Sequence, residues 1–375
     1  MSPLRIVIAG GGTGGHTSAG LAIAAALRAR LGDDLALAWV GSHAGLEATR
    51  VPAAGIPYHA IATGKLRRSL ALRNLSDLGL RVPAGLLQAW RLLGRLRPDV
   101  VVATGGFVAV PTALAAAARR RPLLVHEQVA VPGLANRLIA RLADRVAVTF
   151  AASAAAFPAW KVVVTGNPVR PELLAGDRAR AVERLRLNAT VPLVYVTGGA
   201  QGSHRINRAV GAALERLLTL GQLIHQCGAN EYDDAGWLAR QAHRLSAPTR
   251  ARYRLAEFVT EELADVYAAA TLVVSRAGAG TVTELCALGL PALLIPLPGA
   301  RGDEQTANAR ILTEAGAAVL LPERELTPSG LVERVEELLG DPGRLKQMAE
   351  RARSLARPDA AEQLAELILE LARGR

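Results

Sequence analysis

The chain is poor in aromatics, poor in cysteine and short of acidic residues in its first half, and each shortage excludes something. Aromatics make up 3% of the 375 residues, too few for a surface that works by stacking nucleobases. Nucleic acid is therefore not expected as a partner. The two cysteines, Cys227 and Cys286, lie far apart, so neither a disulfide framework nor a cysteine-rich zinc site can be built from them. No Asp-x-Asp triplet occurs, so a metal clamp of that acidic type has no support in the sequence, and no cofactor is implied. The opening MSPLRIVIAGGG enters an apolar run without the basic leader and cleavage site of a secretory signal. The uncharged stretch 100–118 is interrupted by Gly105, Gly106 and Pro111 and reads as strand, loop and helix instead of a membrane span. A cytoplasmic protein able to lie on a membrane is expected.

What is present suits a two-domain globular chain. The length allows two domains, and 50% of the residues are apolar against 21% charged, which excludes a disordered chain. The net charge of +11 is unevenly spread. Residues 1–165 hold 19 basic and seven acidic side chains, and residues 166–375 hold 25 and 26. A one-sided basic field points to an anionic partner: nucleic acid, which the shortage of aromatics disfavours, phosphate groups or an anionic membrane surface.

Short β-branched runs alternate with longer Ala- and Leu-rich helical patterns. Candidate strands are 5–10, 35–41, 100–104, 122–127 and 146–150, with a helix over 15–30. A second series begins near Val162 and includes 191–199, 221–228, 271–278 and 291–297. From about Thr327 the pattern is helical to the end. This rhythm predicts an α/β fold of two doubly wound parallel sheets in tandem, with a boundary near 166–168. Ligands in such sheets sit beyond the carboxyl ends of the strands.

The loops at those ends carry the chemistry. The first strand runs into Gly10-Gly11-Gly12-Thr13-Gly14-Gly15-His16, where glycines let main-chain N–H groups approach an anion at a helix N-terminus. His16 stands at the mouth of that turn, where an imidazole can take a proton from an attacking hydroxyl. A matching turn, Thr197–Ser203, opens the second unit, and Ser275–Glu284 is a third. Glu284 falls in the first turns of its helix, where a carboxylate can accept both hydroxyls of a ribose. Gln305 and Asn308 share one helix face and can bond sugar hydroxyls. Thr104-Gly105-Gly106-Phe107 and His126-Glu127-Gln128 end two strands of the first half, and Gly166-Asn167-Pro168-Val169-Arg170 lies where the chain crosses between domains.

Taken in order, these motifs resemble the MurG family of peptidoglycan N-acetylglucosaminyltransferases. The resemblance spans about residues 5 to 356, and the HEQ and GNPVR elements make it narrow. It implies a GT-B fold, two Rossmann-like domains facing a cleft. The expected division is an acceptor- and membrane-facing domain over 1–165, a UDP-GlcNAc-binding domain over 166–356, and a C-terminal helix over 357–375 packing back on the first. It implies inverting transfer of GlcNAc from UDP-GlcNAc to the muramyl 4-hydroxyl of undecaprenyl-linked lipid I, at the cytoplasmic face of the cell membrane. By the same resemblance Glu284 takes the ribose hydroxyls and Val259 meets uracil. Ala279, Gly280, Thr281, Val282 and Thr283 wrap the phosphates, and Gln305 meets the sugar. Arg170 contacts the nucleotide, and Thr13, Gly14 and Gly15 belong to the donor site. His16 or Glu127 is the base. Two donor-site positions depart from the family pattern. Val129 stands where Asn is usual after HEQ, and Ala200 where Ser follows the paired glycines, so each loses a polar contact. Ala19 replaces a usual Pro.

The stretch Lys65 to Arg97 has eight basic residues and one acidic, Asp77. Leu86, Trp90, Leu93 and Leu96 fall at helical spacing beside Arg91, Arg95 and Arg97, an apolar face flanked by positive charge that suits anionic lipid headgroups. Rival readings are another GT-B lipid glycosyltransferase, a UDP-sugar epimerase and a non-catalytic membrane adaptor. A nicotinamide dehydrogenase is weaker, since the glycine spacing is wrong for it.

Overall fold

The computed structural model describes residues 3–12, 14–64, 81–299 and 302–374. Thr13 and the 65–80 part of the basic stretch lie outside the described residues. The chain divides into two compact units, Met1–Arg170 with Arg357–Arg375, and Pro171–Ala356.

The first unit is a seven-stranded parallel sheet of β1 (Leu4–Gly10), β2 (Leu35–Gly41), β3 (Tyr58–Ala60), β4 (Val100–Gly105), β5 (Leu123–Glu127), β6 (Arg145–Val148) and β7 (Val162–Val164). The strand order is β3-β2-β1-β4-β5-β6-β7. Its central strands are covered on both faces, which is why they read as unbroken apolar runs. Alternate side chains separate the two cores. Ile6 and Ile8 pack with Ile23 and Leu27 of the Gly14–Leu31 helix and with Leu364 and Ile368 of the Ala360–Arg373 helix. Val7 and Ala9 face the other way, toward Leu93, Ala113 and Ile139 of the Val82–Leu96, Ala109–Ala118 and Leu134–Ala140 helices.

The second unit repeats the plan with six parallel strands: β8 (Leu193–Thr197), β9 (Gln222–Gln226), β10 (Tyr253–Ala256), β11 (Leu272–Ser275), β12 (Ala292–Leu294) and β13 (Ala318–Leu320), in the order β10-β9-β8-β11-β12-β13. In both sheets the order reverses beside the first strand, between β1 and β4 and between β8 and β11. Those reversals are the places where open α/β sheets bind ligands.

Three details differ from the sequence reading. Val162–Val164 closes the first sheet, pairing with β6, instead of opening the second series. The strands β3, β10 and β13 were not anticipated, because three or four half-buried residues are too few to establish a period. On the Val82–Leu96 helix, Leu93 turns into the core with Ala89 and Leu92, while Leu86, Leu87 and Trp90 stay exposed. A Cβ on Gly85 would lie 2.0 Å from the Ala62 carbonyl oxygen. That close approach fixes which stripe of the helix faces inward.

Candidate active site

In the first unit the residues gather at the carboxyl ends of β1, β4 and β5. The register of β1 against β4 shifts after Ala9, so that Gly10 opposes Gly105 and Thr104 is skipped. The Thr104 hydroxyl donates to the His16 carbonyl at 3.1 Å, tying the β4 end to the start of the first helix. Gly105 has φ +111, and a Cβ there would sit 2.8 Å from His16 Cε1 and 2.9 Å from Nδ1. The imidazole therefore packs close to a main chain that only glycine provides. Gly14 and Gly15 form the first residues of the same helix.

Glu127 ends β5 and is 1% exposed. Its Oε1 accepts the Val129 N–H at 3.1 Å. Its Oε2 accepts the Gly133 N–H at 3.3 Å and the Asn136 amide at 3.1 Å. Burial pushes its carboxyl up to about 7, opposed by these hydrogen bonds. Val129 thus serves the site through its main chain, and its departure from Asn leaves that contact intact. The same Asn136 amide donates to the His126 carbonyl at 3.3 Å and stands 3.4 Å from the Cβ position of Gly105. Asn136 thus bonds the Glu127 carboxylate and lies close to the glycine against which His16 packs. His126 is buried, and its Nε2–H donates to the Gly166 carbonyl at 3.2 Å. Burial lowers its pKa to about 4, with the nearby His16 also lowering it, so it is neutral near pH 7.

The glycine turn has an internal hydrogen-bond acceptor. The buried Glu47 carboxylate accepts the Gly12 N–H at 3.1 Å and the Ser42 hydroxyl at 2.7 Å. Side chains at Gly11 or Gly45 would collide with it. The Gly12 amide, one donor of the turn, is therefore engaged from within the protein.

In the second unit the predicted donor residues follow β8, β10, β11 and β12. Ala200 is exposed in the turn after β8. That turn is closed by Gly202, whose φ is +70 and whose Cβ would meet the Cys227 carbonyl oxygen. The Ala279–Leu288 helix begins just after β11 with Gly278 as its N-cap, so its first amides face outward from the sheet end. Val282 is fully buried, and its N–H donates to the Gly278 carbonyl at 2.9 Å. Thr283 donates its hydroxyl to the Ala279 carbonyl at 2.8 Å.

Glu284 is half-buried, and its Oε2 accepts the Tyr267 hydroxyl at 3.1 Å. Tyr267 packs edge-on against Tyr195, with ring centroids 5.5 Å apart. Tyr195 in turn approaches Gln226 Oε1 at 3.4 Å, and that oxygen accepts the Val259 N–H at 2.9 Å. One run of contacts links the Glu284 carboxylate to the Val259 main chain. Gln305, on the Glu304–Glu314 helix, accepts the Leu297 N–H at 3.0 Å and holds its amide at the end of the β12 loop. Asn308 does not share that role. It is fully buried and donates to the Ala277 carbonyl at 3.1 Å, a packing tie dictated by the inward side of its helix. Arg170 is half-buried at the last position of the first unit.

Sequence reasoning missed Glu47, Asn136, Gln226 and Tyr267, none of which sits in a recognisable motif. Arg276 was visible inside the Ser275–Glu284 run but had no assigned role. Its guanidinium donates to the Ile295 and Pro296 carbonyls, both at 3.1 Å, and to the Ser203 hydroxyl at 2.7 Å, and it pairs with Glu323. It fastens together the loops after β8, β11, β12 and β13. Among the described residues no group of three or more His, Cys, Asp or Glu side chains could hold a metal ion, and no helix is long and apolar enough to cross a membrane.

Comparison with known proteins places these two units. Residues 6–148 match the glycosyltransferase family 28 N-terminal domain, and residues 193–364 match the C-terminal domain of the same family. A relative from Nitrosococcus oceani is 43% identical over 373 residues, covering 99% of both chains. One from Desulforudis audaxviator is 41% identical over 373 residues, covering 98% of this chain and 99% of its own. Both are named UDP-N-acetylglucosamine–N-acetylmuramyl-(pentapeptide) pyrophosphoryl-undecaprenol N-acetylglucosamine transferase. The crystal structure of Acinetobacter baumannii MurG is similar with a TM-score of 0.76 at 30% identity, covering 98% of this chain and 100% of that one. A UDP-GlcNAc 2-epimerase from Neisseria meningitidis, bound to UDP-GlcNAc, shares the fold with a TM-score of 0.68 at 14% identity, covering 99% and 100%.

Proposed function

The chain belongs to glycosyltransferase family 28, among its MurG members, and from that premise we propose that it transfers GlcNAc from UDP-GlcNAc to the muramyl 4-hydroxyl of lipid I, forming lipid II for peptidoglycan synthesis. The observation that carries this reading is 43% identity running through 99% of the chain. Its two Rossmann-like units are those of the GT-B fold. The likeness to an epimerase, at 14% identity, is one of fold alone.

Inversion requires one displacement at the anomeric carbon. The acceptor oxygen attacks, the bond to the diphosphate breaks, and the acceptor proton passes to a base. We assign that base to His16. It is partly exposed in the first turn of its helix, whereas Glu127 is buried with both oxygens held by N–H donors. Glu127 then fixes the Val129–Asn136 loop beside the imidazole, with Gly14 and Gly15 at the same mouth.

On the donor side, the amides opening the Ala279–Leu288 helix meet the charge that develops on the leaving diphosphate. Gly280 allows close approach, and Thr281 and Thr283 line the same turn. Amides around Ala200 add to this without the hydroxyl that Ser would bring. Glu284, oriented by Tyr267, accepts the ribose hydroxyls. Val259 meets uracil through its main chain, Gln305 reaches the sugar and Arg170 meets the nucleotide.

The acceptor is lipid-borne, so the enzyme works at a membrane surface. Exposed Leu87 and Trp90 with Arg91, Arg95 and Arg119 line an open cavity of about 720 Å³. The Arg119 guanidinium lies 4.0 Å from the Trp90 ring centroid. Apolar side chains ringed by arginine suit an anionic lipid interface.

A donor screen tests the reading. Labelled UDP-GlcNAc should pass its sugar to a short-chain lipid I analogue at least about tenfold faster than UDP-glucose does. Formation of an epimer without acceptor, or equal use of UDP-glucose, contradicts it.

A further inference from the structure

The Leu134–Ala140 helix has an inner face bound to the site and an outer face with no core to fill. Inward, Asn136 holds Glu127, and Ile139 and Ala140 join the core. Outward, Leu134, Leu138 and, just past the helix end, Leu142 are exposed at intervals of four residues. Trp160, 73% exposed, is tied to the C-terminal end of this helix through its neighbour Lys161. That buried ammonium donates to the Ala140 and Arg141 carbonyls, at 3.4 and 2.8 Å, and lies 4.8 Å from the Trp160 ring centroid. Carbonyls at a helix C-terminus favour such a cation, and the arrangement holds the indole near the helix end that carries Leu138 and Leu142. Arg137, Arg141 and Arg145 are exposed around them, against one exposed acid, Asp144, whose carboxylate already accepts the Leu123 N–H.

This face does not stand alone. The Val82–Leu96, Ala109–Ala118 and Leu134–Ala140 helices cover the same side of the first sheet. Among the described residues, the first unit exposes eight large hydrophobic side chains. All but Leu46 lie on the first of these helices or at Leu134, Leu138, Leu142 and Trp160. Isolated exposed leucines need no explanation, but a stripe of them with a tryptophan and an arginine rim marks an interaction surface. The chemistry of that rim selects the occupant: apolar side chains at one level and cations at the next match acyl chains beneath anionic headgroups.

We propose that Leu134, Leu138, Leu142 and Trp160 form a second bilayer contact of the first unit, seated in the interfacial layer of an anionic membrane. The inference rests on the reading of a lipid-borne acceptor and adds to it a geometric consequence. The helix that touches lipid on its outside is the one whose Asn136 holds Glu127 on its inside. The membrane then lies one helix width from the site, and the acceptor headgroup reaches it without leaving the interface.

The test uses the full-length protein and vesicles of phosphatidylglycerol and phosphatidylcholine that carry a shallow spin-labelled lipid. The difference in quenching between Trp90→Phe and Trp90→Phe/Trp160→Phe isolates the signal of Trp160. That signal should be quenched by the labelled vesicles, and more strongly as the phosphatidylglycerol fraction rises. Leu138→Glu/Leu142→Glu should lower vesicle partitioning and turnover of vesicle-embedded lipid I roughly tenfold. Turnover of a water-soluble short-chain analogue should stay at the parent level, which also reports that the variant is folded. An unquenched Trp160 overturns the proposal, as does parental partitioning of the double variant, including the case where it only dissociates a dimer. Should the parent fail to use the analogue at all, the transferase reading fails, while quenching and partitioning still decide the membrane contact.

Discussion

Burial drives the Glu127 carboxyl up to about 7 and His126 down to about 4, and the two shifts act on stability in opposite directions. A carboxyl whose folded pKa is raised contributes stability below its unfolded value of 4.5, and this is lost as pH rises to about 7. A histidine whose folded pKa is lowered takes stability away as pH falls from 6.5 toward 4. His225, buried and lowered to about 3, adds to that acid-side loss. Glu127→Gln removes the opposing titration. Its unfolding free energy, relative to the parent, should therefore climb by a few kcal/mol between about pH 4.5 and 7 in denaturant melts; a constant difference contradicts the assigned shift. In catalysis, His16→Ala should lower kcat by roughly 10²–10⁴ while calorimetry shows UDP still bound. If neither His16→Ala nor Glu127→Gln changes kcat, the proton goes elsewhere. His16, Glu127 and Glu284 were legible in the sequence because each is a polar residue at a strand end or glycine-rich turn. Glu47 was not, since the Gly12 amide it holds lies 35 residues away and only the fold brings them together. Asn308 misled for the opposite reason: its spacing matched Gln305, but its side of the helix faces the core.

Side chains that tie elements together hold the residues proposed for the donor in place. Arg276 fastens four loops of the second sheet, and Tyr267 and Tyr195 carry position from Glu284 across to Gln226 and Val259. Tyr267→Phe removes one hydroxyl donor from Glu284 and keeps the ring packing. One hydrogen bond of about 1 kcal/mol corresponds to about a fivefold rise in the KM for UDP-GlcNAc, with kcat nearly unchanged in steady-state assays. A fall in kcat at constant KM contradicts the view that Glu284 binds the ribose. The long central strands of both sheets were readable because burial on both faces demands unbroken apolar runs. The edge strands β3, β10 and β13 were not, because they have half-buried residues and too little length for a period to appear. The final strand of the first sheet, Val162–Val164, was seen as a strand but given to the wrong sheet. Its partner, β6, is fixed by packing that three valines do not specify.

At the scale of the whole chain, charge and chemistry are divided. The positive excess lies within residues 1–165, on the unit that carries His16, Glu127 and the exposed Leu and Trp faces. The near-neutral remainder supplies most of the residues proposed for the nucleotide sugar. On the proposed reading, a lipid-borne acceptor and a soluble anionic donor call for such unlike partners, one unit that would be attracted to anionic lipid and one that would offer main-chain amides and the Glu284 carboxylate to the nucleotide sugar. The charge asymmetry and the two-sheet plan were open to sequence reading, whereas Leu134, Leu138, Leu142 and Trp160 became a surface only once the helix packing showed which way they turn. The central claim is an inverting GlcNAc transfer to lipid I, and the configuration of the new glycosidic bond tests it most directly. Proton NMR of the product made from UDP-GlcNAc and a short-chain lipid I analogue should show a β-linked GlcNAc on the muramyl 4-oxygen; an α-linkage, or release of sugar with no disaccharide formed, contradicts the account.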